Sequence, residues 1–149
     1  MENPNWSAET SERINNVLKV MDEKQAKKYK LHMLSRIIQR VHHFSITNGC
    51  IECENLKENI IDLILFLEKK NEMGQKQYKQ TFKLVVNHLV KNHGLVEEGT
   101  YLSLGIAFGL MFGAALSSIY FMAMAIGMLF GLVIGLSMDD KMKKQGRVI

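Results

Sequence analysis

The apolar positions of this chain fall into two regimes. Up to about Glu98 they come three or four residues apart among charged and amide side chains, whereas from Thr100 to Met138 there is no Asp, Glu, Lys, Arg or His. In the first regime Ile14, Val17, Leu18 and Met21 predict an amphipathic helix running to about Met21, with Ser7 or Thr10 as its N-cap. The charged stretch Asp22 to Lys30 reads as a turn or as a solvated helix face. Tyr29, Met33, Leu34, Ile37, Ile38 and Val41 form a second stripe, and His42 to Gly49 reads as the end of that helix and a turn broken by Asn48-Gly49. Leu56, Ile60, Ile61, Leu63, Ile64 and Leu67 predict a third helix, with a turn at Asn71 to Gly74. Tyr78, Phe82, Val85, Val86 and Leu89 predict a fourth, ending near Asn92-His93-Gly94. Short connections favour antiparallel neighbours, so Cys50 to His93 reads as a helical hairpin. No segment alternates as a strand does.

The second regime is too sharply bounded for an ordinary core helix. Tyr101 to Met138 is too long for one span of about 20 residues and suits two short ones. Gly105, Gly109, Gly113 and Ser117 place a small residue at every fourth position, as do Ala123, Gly127, Gly131 and Gly135, with the phase broken between the two sets. Lipid gives apolar side chains no reason to leave it, so helices in a membrane associate by close backbone approach, which small residues permit. Glycine costs about 1 kcal/mol per helix position relative to alanine, so such stripes imply packing. They serve either to close the hairpin on itself or to assemble several copies, and the spacing alone leaves both open.

The mean hydropathy of -0.03 is therefore an average over two unlike parts. The expected organisation is all-α, with N-terminal amphipathic helices over 1–48 and a zinc-binding helical hairpin over 49–98. A transmembrane glycine-zipper hairpin over 99–138 and a basic tail over 139–149 complete it. The segment Met1 to Trp6 carries no basic and apolar signal-peptide pattern. Lys141, Lys143, Lys144 and Arg147 after the second span, and the lysine-bearing part before the first, put both termini in the cytoplasm by the positive-inside rule. No ionisable group lies within either span, which argues against a proton relay.

The two cysteines stand in one Cys50-x-x-Cys53, which argues against a secreted disulfide scaffold. With His88 and His93 they form a Cys-x2-Cys and His-x4-His set, spacings that wrap a tetrahedral zinc ion. Cys53 opens the third helix and His88 closes the fourth, so an antiparallel hairpin brings all four together, closing a structural zinc site with no open position. Three alternatives stand beside this reading: cysteines as core residues with surface histidines, a redox dithiol (which commonly accompanies a βαβ pattern absent here), and His42 or His43 in place of one histidine ligand. No Ser-His-Asp arrangement, phosphate loop or carboxylate pair is present, so an enzyme is not expected. The net charge of +4 is modest. Lys24, Lys27, Lys28, Lys30, Arg36 and Arg40 are mixed with acidic residues and lack a stacking set, which argues against nucleic acid; attraction of these bases to anionic lipid is the alternative.

Cys50 to Cys53, His88 to His93, the run Glu98-Gly99-Thr100-Tyr101-Leu102, the repeated Gly-x3-Gly and the tail Asp140 to Ile149 together resemble small glycine-zipper membrane proteins of Gram-positive bacteria. The resemblance covers about Gly49 to Ile149 and implies a bacterial inner-membrane setting without a particular activity. Two functions are expected from the whole. One is a membrane effector whose hairpins form a homo-oligomer and a pore, in a defence or stress response. The other is an adaptor anchored in the lipid bilayer that binds a cytosolic protein partner, suggested by a Tyr29–Val41 stripe too long for its own domain to cover.

Overall fold

The computed structural model describes residues 5–69, 73–116 and 122–149. Ser117, the expected break after it, and Asn71 and Glu72 of the expected turn lie outside these residues. Seven helices are described: α1 (Trp6–Val20), α2 (Glu23–Lys28), α3 (Leu31–Thr47), α4 (Ile51–Leu67), α5 (Gln75–His93), α6 (Thr100–Leu116) and α7 (Ala123–Lys144). They form two compact units, Met1–His93 and Gly94–Ile149.

In the first unit α3 is central, with α1, α2 and α4 packed on it and α5 packed on α4. Leu31, Leu34, Ile37, Ile38 and Val41 of α3 are fully buried with Ile14 of α1 and Ile60, Leu63 and Ile64 of α4. The stripe from Tyr29 to Val41 is thus covered by its own domain, correcting the expectation that it needed an outside partner. Tyr29 packs edge-on against Phe66 and Tyr78, and the Tyr78 hydroxyl donates to the Tyr29 carbonyl at 2.9 Å. Arg13 grips Glu68 through two bonds of 2.9 Å, fixing α1 to the end of α4.

Several helix limits differ from the sequence reading. α1 starts at Trp6 with Asn5 in the cap position, so Ser7 and Thr10 lie inside the helix; the Thr10 hydroxyl donates back to the Trp6 carbonyl instead of capping. Asp22 caps α2 by accepting from Gln25 N–H. α3 runs through His42 and His43 to Thr47. Gly49, at φ 58°, then takes a left-handed turn natural to glycine, and Cys50 becomes the N-cap of α4 one residue later.

The second unit is an antiparallel pair of helices in contact through glycine. A Cβ on Gly113 would lie 2.6 Å from Met124 Cα, and one on Gly135 would lie 2.7 Å from Leu102 Cα. Gly105 and Gly109 abut the backbone of Gly131 and Gly127 in the same way, and the Ala123 carbonyl faces Gly113. The glycines of both stripes are therefore used within one chain, and they close the hairpin. Outward, Phe108, Phe112, Leu129, Phe130, Val133 and Ile134 are each at least half exposed. α7 is the described helix long and apolar enough to cross a membrane, and α6 is a shorter apolar helix of 17 residues.

The residues of the expected basic tail are folded. α7 continues to Lys144, and the last residues return along the segment that enters the hairpin. Val96 N–H donates to the Arg147 carbonyl at 2.8 Å and Ile149 N–H to the Val96 carbonyl at 3.0 Å, an isolated parallel bridge between Val96 and Val148. Lys143 pairs with Glu98 at 2.8 Å, and the Arg147 guanidinium donates to the Gly94 carbonyl at 2.7 Å. Val148 and Ile149 are buried.

Candidate metal centre

The beginning of α4 and the end of α5 meet because the two helices are antiparallel and nearly equal in length. Cys50 and Cys53 occupy the cap and first turn of α4; His88 and His93 occupy the last two turns of α5. The Sγ atoms of Cys50 and Cys53 and a ring nitrogen of His88 and of His93 all lie within 4.8 Å of one another. His88 Nε2 is 3.3 Å from Cys53 Sγ and 3.5 Å from Cys50 Sγ, while His93 Nε2 is 3.2 Å from both Cys53 Sγ and His88 Nε2. Four donor atoms pointing at one spot are compatible with a single metal ion.

Three residues not anticipated from sequence orient the donors. The Glu52 carboxylate lies 2.9 Å from His88 Nδ1, and Asn92 Nδ2 donates to the same carboxylate at 3.0 Å. A proton held on Nδ1 by Glu52 leaves the lone pair of Nε2 facing the thiols, the usual arrangement behind a metal-bound imidazole. Phe44 of α3 stacks on His93 with ring centroids 4.0 Å apart and planes within 10°. Glu52 sits inside the Cys-x-x-Cys and Asn92 one turn after His88, so their positions were visible in the sequence; Phe44 lies on another helix and carried no signal.

The other histidines weighed as donors are elsewhere. His42 stacks on Trp6 at 6.1 Å, and His43 Nδ1 lies 3.4 Å from the Thr47 hydroxyl. Cys50 and Cys53 are free thiols, and Cys53 is fully buried. Burial, reinforced by Cys50 and by the charge of Glu52, pushes the Cys53 thiol up to about 12. Burial and then the neighbouring His88 hold the His93 imidazole below its ordinary value. The site thus disfavours a Cys53 thiolate and a His93 imidazolium, and a bound cation would reverse the first preference.

The described residues thus combine an apolar, glycine-packed helix pair with a Cys2His2 cluster in an all-helical protein. Comparison with family models agrees: residues 91–141 match the model described as glycine zipper membrane protein. No curated protein and no solved structure matches the chain. The matched segment takes in His93, the last residue of the cluster, and the whole of α6.

Proposed function

We propose that this protein is a bacterial membrane-anchored module in which a two-span hairpin of α6 and α7 holds a zinc-braced helical domain at the cytoplasmic face. The observation that carries the anchor is the inside-out packing of the hairpin. Its glycines are spent on helix contact while its large apolar side chains face outward, and that arrangement is tolerable in hydrocarbon but not in water. α6 has no polar coat either, so it accompanies α7 into the bilayer.

Zinc is the ion that the donor set favours. Zinc–sulfur and zinc–nitrogen bonds of about 2.3 and 2.0–2.1 Å imply N···N and N···S tetrahedral edges of roughly 3.4 and 3.6 Å. The N···N separation of 3.2 Å and N···S separations of 3.2 to 3.5 Å fall within a few tenths of these values. Two thiolates neutralise the ion, and four protein donors fill its sphere. The site therefore braces the fold and is not that of an enzyme. The positive residues beside the hairpin support a cytoplasmic side for both termini.

In this reading the domain is an adaptor that presents a surface to a cytosolic protein. A second reading, an oligomeric membrane effector with a pore, draws on one feature of the hairpin. A groove of about 430 Å³ runs along it, floored by glycine backbone and walled by Phe108, Phe112 and Phe130. Since the glycine stripes are already occupied, copies of the chain would meet through this aromatic face. The test is fractionation of cells expressing the protein with reporters at either end. The anchor predicts retention in membranes after alkaline carbonate washing, with both reporters on the cytoplasmic side. Release by carbonate would refute it. The mass of the detergent-solubilised protein then separates the two readings, a monomer favouring the adaptor and a defined oligomer the effector.

A further inference from the structure

Resting on the zinc reading above, we propose that the metal centre is a reversible redox switch, opened when a hydroperoxide joins Cys50 and Cys53 in a disulfide and expels the ion. Three features of the cluster carry this. First, both thiol ligands lie on one turn of one helix. Residues three apart on a helix are about 5–6 Å apart at Cβ, within a small adjustment of disulfide geometry. The two Sγ atoms are already within 4.8 Å. One two-electron oxidation therefore removes both anionic ligands together, leaving two neutral imidazoles that hold zinc weakly.

Second, the two sulfurs differ in access. Cys53 is fully buried, whereas Cys50 at the helix cap is half-buried. Cys50 is thus the sulfur that meets an oxidant, and Cys53 is the resolving one. The Cys50 thiolate attacks one peroxide oxygen, the O–O bond breaks, and water leaves after taking a proton from solvent, so Cys50 becomes a sulfenic acid. The Cys53 sulfur attacks the Cys50 sulfur; the S–S bond forms, the S–O bond breaks, and the departing hydroxide takes a second proton. The balance is two thiolates, one hydrogen peroxide and two protons giving one disulfide and two waters, with two electrons passing from sulfur to oxygen.

Third, the imidazoles are held by contacts that do not involve the ion. Glu52 and Asn92 fix His88, and Phe44 stacks on His93. The histidines stay in place after the metal leaves, so reduction of the disulfide recreates a site ready to rebind.

The experiment uses the full-length protein in detergent, loaded with zinc and freed of excess. Hydrogen peroxide is added in the presence of a chromogenic zinc chelator, with thiols counted in parallel. The expected result is release of about one zinc per chain with loss of two thiols, an intrachain Cys50–Cys53 peptide, and rebinding after dithiothreitol. Cys53→Ser should trap a Cys50 sulfenic acid that dimedone labels, and Cys50→Ser should not be labelled at Cys53. Zinc retained with thiols intact in excess peroxide overturns the switch and leaves the zinc reading standing, as does oxidation confined to interchain disulfides. A protein that takes up no zinc before peroxide is added overturns both.

Discussion

The Asp139 carboxylate accepts the Leu102 backbone N–H at 2.9 Å and that of Tyr101 at 3.2 Å, so α7 supplies the cap that the start of α6 lacks. Gly99 precedes α6 and has no side chain to offer, and the Thr100 hydroxyl is turned back to the Glu97 carbonyl at 2.7 Å. A carboxylate at a helix N-terminus meets both unpaired donors and the positive end of the helix dipole. Asp139→Ala should therefore destabilise the hairpin by about 1–3 kcal/mol, and Asp139→Asn by less, because its amide oxygen still accepts. Melting of the full chain in detergent reads the difference; an Asp139→Ala variant as stable as the unaltered chain would mean that the cap contributes nothing.

Gly131→Leu and Gly109→Leu should force α6 and α7 apart, because even a Cβ at either position would collide with the facing backbone. Overpacking of this kind typically costs about 1–3 kcal/mol, and more where backbone cannot yield. Gly74→Ala serves as the comparison, since nothing lies within 4 Å of a Cβ there. Protease resistance of the hairpin should fall in the first two variants and stay unchanged in the third.

Glu52→Gln should weaken zinc binding by roughly 10- to 100-fold, the usual effect of losing a carboxylate behind a ligating histidine. Competition against a chelator of known affinity measures this. The effect should be smaller than that of His88→Ala, which removes the donor itself.

Removing zinc with a chelator should lower the melting temperature of the unit Met1–His93 by more than about 10 °C. Each kcal/mol is worth roughly 4–8 °C in a domain of 60–100 residues, and structural zinc contributes several. The apolar core of α1, α3 and α4 does not depend on the ion, so most helical circular dichroism should persist below the new midpoint. Unchanged melting would contradict a bracing role.

Acid should destabilise the metal-free protein through His93. Its folded pKa is depressed, by burial first and by His88 second, so its contribution is present above the unfolded value near 6.5 and is lost as pH falls. Cys53 has the opposite sign: its raised pKa gives stability that is present below the unfolded thiol value and lost as pH climbs toward about 12. Denaturation of the chelated protein between pH 5 and 8 should show stability rising with pH, with a smaller slope in His93→Phe.

Much of this molecule is legible one helix at a time. The spacing of Leu34, Ile37, Ile38 and Val41 shows a buried face, and the absence of charge from Thr100 to Met138 marks the apolar hairpin. The grouping of Cys50, Cys53, His88 and His93 also follows from two helices of similar length with few residues between them. The caps were harder. Thr10 is a residue that caps helices elsewhere, but here the chain becomes helical four residues earlier and the hydroxyl bonds within the helix. His42 to Gly49 read as the end of a helix and a turn, and α3 runs through His42 and His43 to Thr47 before the break at Asn48-Gly49.

By itself, the sequence determined most of the helical segments, where polar chain gives way to apolar chain, and a leading set of four donors on facing helix ends. These are properties of local spacing, set by 3.6 residues per turn and by hydropathy. The tertiary structure alone decided which face meets which. It turned the glycine stripes toward each other, covered the α3 stripe with α1 and α4, stacked Phe44 on His93, and brought Asp139 to the start of α6. Each of these joins residues that are distant in the chain, and their pairing follows from how whole helices pack rather than from any pattern within one of them.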